Sequence, residues 1–280
     1  MEKFTLEILF QIIGIGSASG LFYNIDTLSL YVVGDNSGFL YEYNMTNQKL
    51  NQHALIDNPT QNIPKNLKPD FESLTNHNDT LYVFGSGSTE NRNKMIEFDL
   101  KSKTVLQKNN LVDLYGLMQN FGEIKPEDFN LEGSIFDGEN WYLFNRGNGV
   151  SNKNTIFTIH AKSLGEEFAL ISVNYKLPKI KGIRSSFTDA ILVEDKIYFL
   201  STVENTKSTY DDGEILGSFI GRIDQKTMKI DFTQKITSTN KFEGLTFYKK
   251  ENNKIEFLLC EDNDTEVLQT KIYKLTLPIK

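Results

Sequence analysis

The 280-residue sequence has one cysteine, three histidines and no long apolar run. The single cysteine, Cys260, excludes an intramolecular disulfide and a cysteine-based zinc cluster, so we expect it to be a small core residue. No segment reaches the roughly 20 apolar residues that a membrane-spanning helix needs. The segment GIGSASG (14–20) lacks the strand-turn-helix context of a dinucleotide site. The sequence therefore predicts neither a disulfide scaffold nor a membrane-spanning or dinucleotide-binding fold.

Positive charge is also scarce, since 30 Lys and Arg face 37 Asp and Glu, for a formal net charge of -7. Binding to a nucleic-acid polymer or an anionic membrane needs clustered positive charge, so neither is an expected partner. Glu2 and Glu7 interrupt the basic and apolar regions of a signal peptide, which favours the cytoplasm over a secreted or periplasmic location. We expect a soluble monomer whose partner is a small molecule.

A repeat of about 55 residues runs along the chain. Its most recognisable element is a short apolar strand, with a tyrosine at the same position in four of five copies. The copies are LSLYVVGD (28–35), TLYVFGS (80–86), NWYLFNR (140–146), KIYFLST (196–202) and KIEFLLC (254–260). A polar turn and a shorter strand precede each copy, and alternating apolar and polar residues follow it. This pattern is typical of consecutive antiparallel strands.

Four strands can be assigned to each of the first four repeats, but only three to the last. The segment 3–13, KFTLEILFQII, is an unassigned strand that can complete the last repeat. The sequence therefore predicts a single all-β domain over 1–280, a five-bladed β-propeller with four-stranded blades closed by the N-terminal strand. We also expect a short helix at 110–122, and an inter-blade core that contains Trp141 and the tyrosines.

The first strand of each blade lines the axis of a propeller, so the residues that begin these strands should form one ring. The ring residues predicted from the repeat are Ser19, Glu72, Glu132, Thr188 and Glu243. Asp189, next to Thr188, is an alternative fourth member. Two carboxylates about 5 Å apart repel by roughly 3 kcal/mol at an effective dielectric constant near 20.

This repulsion can be relieved by protonation of one or two acids or by a bound cation. Only oxygen ligands are present in the ring, and Ca²⁺ accepts carboxylate, hydroxyl and water oxygens with flexible geometry. Mg²⁺ demands a stricter geometry. The other interpretation is that these acids hold channel water or backbone amides, as buried polar groups do.

The five-unit repeat and the ring order Ser, Glu, Glu, Thr, Glu resemble the calcium-activated nucleotidases, or apyrases. The resemblance rests on about one residue per blade. It implies an axial calcium, which that family holds with Ser, Glu, Glu, Ser and Glu, and hydrolysis of nucleotide di- and triphosphates. Thr188 replaces a serine but keeps the hydroxyl. The chain is also similar to an uncharacterised group of bacterial propellers.

Polar, glycine-rich loops between second and third strands should surround the ring. They are predicted at 34–38, 85–94, 145–154, 201–217 and 260–270. Arg92 and Arg146 are candidates to clamp a phosphate bidentately, and Arg184 and Lys241 are further candidates. The other interpretation treats these as ordinary surface charges. The candidate general bases are Asp35, Glu261 and Asp262.

Three functional hypotheses follow. The first is a calcium-centred hydrolase acting on phosphoanhydrides, with a small, phosphorylated ligand. The second is a non-catalytic propeller that binds a ligand or a protein and has a structural calcium. The third is a calcium-dependent lactonase or esterase, although those propellers usually have six blades and Asn or Asp ligands.

Overall fold

The computed structural model describes residues 4–165, 167–206, 208, 213–262 and 267–279. Within them, the alternating segments form antiparallel strands in five four-stranded sheets and one two-stranded hairpin. The predicted five-bladed all-β propeller is confirmed. No helix in these residues is long and apolar enough to cross a membrane.

The strands follow the predicted repeat. One strand, β1 (Thr5–Ile13), precedes the first blade. Blade one contains β2 (Ala18–Asn24), β3 (Ser29–Gly34), β4 (Phe39–Asn44) and β5 (Leu50–Ala54). Blade two contains β6 (Phe71–His77), β7 (Thr80–Gly85), β8 (Lys94–Asp99) and β9 (Thr104–Asn110). The helix α1 (Val112–Gly122) follows blade two, close to the predicted insertion.

The second half of the chain adds an element that the sequence did not predict. Blade three contains β10 (Leu131–Phe136), β11 (Asn140–Asn145), β12 (Asn154–His160) and β13 (Ala169–Tyr175). A small hairpin of β14 (Lys179–Ile180) and β15 (Ile183–Arg184) comes next. Blade four contains β16 (Ser186–Val193), β17 (Lys196–Asn205), β18 (Glu214–Asp224) and β19 (Lys229–Lys235). Blade five contains β20 (Phe242–Glu251), β21 (Lys254–Glu261) and β22 (Gln269–Pro278).

One predicted boundary was wrong. The segment 201–217 was expected to be a loop, but β17 continues to Asn205 and β18 begins at Glu214. The two strands keep their pairing beyond the blade, so this hairpin projects from the mouth of the propeller. Residues 207 and 209–212 of the predicted loop, and 263–266 of the predicted loop 260–270, lie outside the described residues.

The ring closes through the N-terminal strand, as predicted. β1 pairs antiparallel with β22, so that blade five has the order β1-β22-β21-β20. The first strands of neighbouring blades contact one another around the whole ring, in the order β2, β6, β10, β16, β20 and back to β2. The starts of these five strands therefore meet at the axis.

The hydrophobic core consists of layers between neighbouring blades. Tyr31 packs between blades one and two, and Trp141 between blades two and three, both almost fully buried. Tyr142 and Tyr198 take part in the next two layers. Cys260 is a buried free thiol between blades five and one. The predicted inter-blade role of the tyrosines and the core position of the cysteine are confirmed.

Candidate functional site

The five predicted ring residues occupy the same structural position in every blade. Each lies where the pairing of the first and second strands shifts by one residue, as in a β-bulge. The shift comes one residue after the pairing begins in four blades and two residues after it begins in blade four. These bulged residues are Ser19, Glu72, Glu132, Thr188 and Glu243. A bulge leaves one residue outside the ladder and re-aims its side chain, and bulges are enriched beside active sites.

Burial and charge set the properties of the ring. All five residues are at most 9% exposed. Burial raises the pKa of Glu72 well above its ordinary value, and the negative charges of Glu132, Asp70 and Glu243 raise it further. The pKa of Glu243 is also raised, chiefly by burial. The raised pKa values mean that the deprotonated, charged forms of Glu72 and Glu243 are unfavourable in this buried environment.

The Glu72 carboxylate is the least compensated member of the ring. In the described part of the chain, no side chain or backbone group donates a hydrogen bond to it or lies within ion-pair distance. Its tightest neighbours are themselves acids, because oxygens of Asp35, Asp70 and Glu72 lie within 4.8 Å of one another. Lys68 pairs with Asp35 and Asp70, and the charge of Glu72 also raises the Lys68 pKa, but Lys68 does not lie within ion-pair distance of Glu72.

Basic residues that the repeat did not indicate neutralise part of the ring. The guanidinium of Arg146 bonds to Glu132 at 3.1 Å and to Glu204 at 2.7 Å, and lies 3.6 Å from Glu243. Lys241 pairs with Glu243 at 3.0 Å and with Asp262 at 3.1 Å. The sequence suggested that repulsion between the ring carboxylates is relieved by protonation or by a bound cation. Internal ion pairs with Arg146 and Lys241 reduce this repulsion as well.

The internal ion pairs do not balance the site. Seven acids belong to it, namely Asp35, Asp70, Glu72, Glu132, Glu204, Glu243 and Asp262. Four basic residues face them, namely Lys68, Arg92, Arg146 and Lys241. With every group ionised, seven acids minus four bases leave an excess of three negative charges, and Glu72 is the one acid of the seven with no basic group of the described residues within ion-pair distance. A cluster of oxygen ligands with excess negative charge suits a hard divalent cation.

The two hydroxyl members of the ring leave their oxygen lone pairs available. Thr188 Oγ1 donates to the Phe242 carbonyl at 2.7 Å, so the proton is used but the oxygen can still act as a ligand. Among the described residues, the Ser19 hydroxyl makes only a long contact with the Ser17 carbonyl, at 3.5 Å. Asp189, the alternative to Thr188, accepts the Leu245 and Ala190 backbone N–H groups at 2.6 and 2.7 Å. That pairing ties blades four and five together.

The predicted substrate-binding arginines have different environments. Arg92 is buried and bonds to Asp70, Ser88 and the Lys65 carbonyl. Arg146 lies within the ring, as described above. Arg184 instead lines an off-axis cavity of about 450 Å³ beside the ring. Of the three guanidinium groups, Arg184 is the one not engaged by carboxylates of the described residues.

The candidate bases are also separated by the fold. Asp35 lies beside Glu72, and its Oδ1 is buried with no partner in the described residues. Burial raises the pKa of Asp35, an effect that Lys68 opposes. Asp262 is paired with Lys241. Glu261 accepts from Tyr273 at 2.6 Å and from Asn240, neither of which is a ring residue.

Comparisons with known proteins agree on the fold. A model described as a family of unknown function, DUF6929, matches residues 14–277. No curated protein matches the chain. The PQQ-bound aldose sugar dehydrogenase of Streptomyces coelicolor is 10% identical, with a TM-score of 0.53 and 98% of both chains covered. A luciferin-regenerating enzyme is 9% identical, with a TM-score of 0.47 over 98% of this chain and 95% of that one. At 10% identity the likeness to the dehydrogenase shows a shared fold alone.

Proposed function

The chain belongs to the family of unknown function DUF6929, and we propose that it binds Ca²⁺ at the propeller axis and hydrolyses a phosphoanhydride at the channel mouth. The observation that carries the proposal is the Glu72 carboxylate, which is buried among other acids and has no donor in the described residues. An uncompensated buried carboxylate is costly, and a bound cation removes that cost.

The cation would be held by one oxygen-bearing side chain from each blade. The proposed ligands are Ser19, Glu72, Glu132, Thr188 and Glu243. Arg146 and Lys241 would fix the Glu132 and Glu243 carboxylates in position. When bound, Ca²⁺ would supply Lewis-acid polarisation of a phosphoryl oxygen. The resemblance of the ring to the apyrases supports nucleotide di- and triphosphates as the first substrates to test.

Asp35 is the preferred general base among the three candidates. Its unpartnered Oδ1 and its raised pKa suit a group that takes a proton from water. The oxygen of that water attacks the terminal phosphorus, the bond from this phosphorus to the bridging oxygen breaks, and the bridging oxygen keeps the electron pair and leaves as part of the shortened nucleotide, while inorganic phosphate is the other product. Asp35 is also paired with Lys68, through Oδ2, so the preference for it rests on the Oδ1 that has no partner in the described residues. Asp262 is paired with Lys241, and Glu261 accepts from Tyr273 through Oε1 and from Asn240 through Oε2.

A second candidate function is a non-catalytic propeller with a structural calcium. The observation that favours it is that Arg92 and Arg146 are bound to acids of the site and are not free to clamp a substrate phosphate. In that case the cation would stabilise the ring, and a ligand would bind without being converted.

Phosphate release separates the two candidates. The purified protein is incubated with ADP and ATP in Ca²⁺, and again with chelator, while thermal unfolding is followed in parallel. Release that needs Ca²⁺ and is lost in Asp35→Asn supports the hydrolase. Stabilisation by Ca²⁺ with no release supports the structural role. Lactones are included as substrates, because turnover of lactones alone would replace the phosphoanhydride proposal.

A further inference from the structure

The off-axis cavity beside the ring contains two positive charges that have no acidic partner in the described residues. The cavity of about 450 Å³ lies between the loop after β11, the β14–β15 hairpin and the projecting end of β17. Lys179 and Arg184 both line it. Neither forms an ion pair with the described residues, and Arg184 makes only a 3.5 Å contact with the Leu177 carbonyl.

The hairpin holds these two charges opposite each other. Lys179 and Arg184 are direct cross-strand partners in the β14–β15 ladder. Opposed side chains on one face of an antiparallel pair have Cβ atoms about 5 Å apart, and like charges there are destabilising. A bridging anion turns this repulsion into attraction, and an arginine supplies the bidentate geometry that phosphate oxygens match.

The rest of the hairpin fixes the position of the pair. Ile180 and Ile183 are the other cross-strand partners, and they pack against Val203, Leu216 and Phe219. Lys181 and Gly182 make the turn with positive φ angles of 50° and 84°. Positive φ at both central residues is typical of the tight turns that match strand twist. The hairpin that carries Lys179 and Arg184 is therefore held in place by the packing of its isoleucines.

Apart from Ile183 and Gly182, the remaining lining that the structure describes is polar, and no aromatic ring occurs among these described residues. Asn148, Asn152, Ser186 and Thr206 contribute amide and hydroxyl groups. The Asn148 Oδ1 is buried with no partner in the described residues. Recognition of a nucleobase normally uses stacking on an aromatic or guanidinium plane, and the one guanidinium of the described lining, Arg184, is assigned here to the anion. Hydroxyl groups of a ligand need donors and acceptors of the kind seen here.

The cavity adjoins the axial site through one ion-pair chain. Glu204 lies in the cavity wall and bonds to Arg146, which bonds in turn to Glu132 of the ring. An anion held by Lys179 and Arg184 would therefore be linked to the proposed cation site through Glu204, Arg146 and Glu132.

From these observations we propose that the cavity binds the phosphate groups of a small, non-aromatic phosphorylated ligand, with Lys179 and Arg184 as the anion clamp. The proposal deepens the proposed function and rests on it only for the catalytic outcome. It places recognition on the phosphate chain and any polyol, and not on a nucleobase.

Binding of inorganic triphosphate, measured by calorimetry in chelator, tests the clamp without the axial cation. We expect the Lys179→Ala/Arg184→Ala variant to lose at least tenfold in affinity. The charge-matched control Lys176→Ala/Lys226→Ala removes two exposed lysines outside the cavity and should bind as the wild type does. Thermal unfolding without ligand checks that both variants fold.

Two results would overturn the proposal. One is equal affinity of the wild type and the clamp variant, or no binding by the wild type. The other is ATP binding more than tenfold tighter than inorganic triphosphate, which would mean that the base is recognised. Because these titrations contain no Ca²⁺, they succeed or fail separately from the proposed axial site.

Discussion

The central residue of the site is Glu72, an acid placed by a β-bulge among other acids. Its pKa is raised by burial and by Glu132, Asp70 and Glu243. Glu132 and Glu243 have basic partners in Arg146 and Lys241, whereas no basic group of the described residues lies within ion-pair distance of Glu72. A carboxylate in this position either takes up a proton or recruits a cation, and the two outcomes have opposite pH dependence.

Replacing Glu72 by glutamine should stabilise the calcium-free protein at high pH. A carboxyl whose pKa is raised by folding holds its proton more tightly when folded. Its contribution to stability is therefore present near its ordinary value of 4.5 and is lost as pH rises toward the raised value. In chelator at pH 8, Glu72→Gln should unfold with a free energy about 1–3 kcal/mol higher than the wild type.

Urea unfolding from pH 5 to pH 8 measures this effect. The difference between Glu72→Gln and the wild type should grow with pH. The control Glu139→Gln, at an exposed turn residue, should show no such trend. A Glu72→Gln protein that is less stable than the wild type at every pH would show that the charge is compensated by a partner.

The five ring residues could be predicted from the sequence because the repeat fixes their positions in each blade. Their basic partners could not, since Arg146 follows a second strand and Lys241 precedes a first strand in only one blade each. Nothing in a single repeat indicates that their side chains turn inward. The acids Asp70 and Glu204 were missed for the same reason.

At the scale of elements, the strand pattern was predictable where apolar and polar residues alternate. The projecting part of β17 and β18 was not, because its sequence is rich in Ser, Thr, Glu and Asn and looks like a loop. The hairpin β14–β15 contains only two residues per strand, which is too short for periodicity. Cross-strand pairing and packing on neighbouring residues stabilise both elements.

Close approach of first strands at the axis makes glycine necessary after the bulge in blade five. A Cβ on Gly244 would lie 2.6 Å from the Cys260 sulfur and 2.9 Å from Leu21 Cγ. We expect Gly244→Ala to lower the free energy of unfolding by about 1–3 kcal/mol. Gly116→Ala, in α1 with no atom within 4 Å of the added carbon, should raise it by about 0.5–1 kcal/mol.

Chemical denaturation of the two alanine variants checks this pair of opposite effects. A Gly244→Ala protein as stable as the wild type would mean that the first strands of blades five and one can separate without cost.

At the scale of the whole molecule, the propeller depends on closure of the ring by β1. Ile12 of β1 is 1% exposed and packs between blades five and one, whereas its neighbour Ile13 is 67% exposed. The two side chains point to opposite faces of the same strand. They form a matched pair for testing closure.

Ile12→Asp should destabilise the protein by about 3–5 kcal/mol, because it buries an unpaired charge in the closing layer. Ile13→Asp should stay within about 0.5 kcal/mol of the wild type. Thermal unfolding and gel filtration measure the effect, and the first variant should also associate through the freed edge of β22. Equal stability of the two variants would mean that β1 does not close the ring.

The account depends most on a cation at the propeller axis, and titration of chelator-stripped protein with Ca²⁺ by calorimetry at pH 7.5 tests it most directly. We predict one Ca²⁺ bound per chain, an affinity at least tenfold lower in Glu72→Gln, and no change in Glu139→Gln. No saturable binding to the wild type, or equal affinity in Glu72→Gln, would contradict the account.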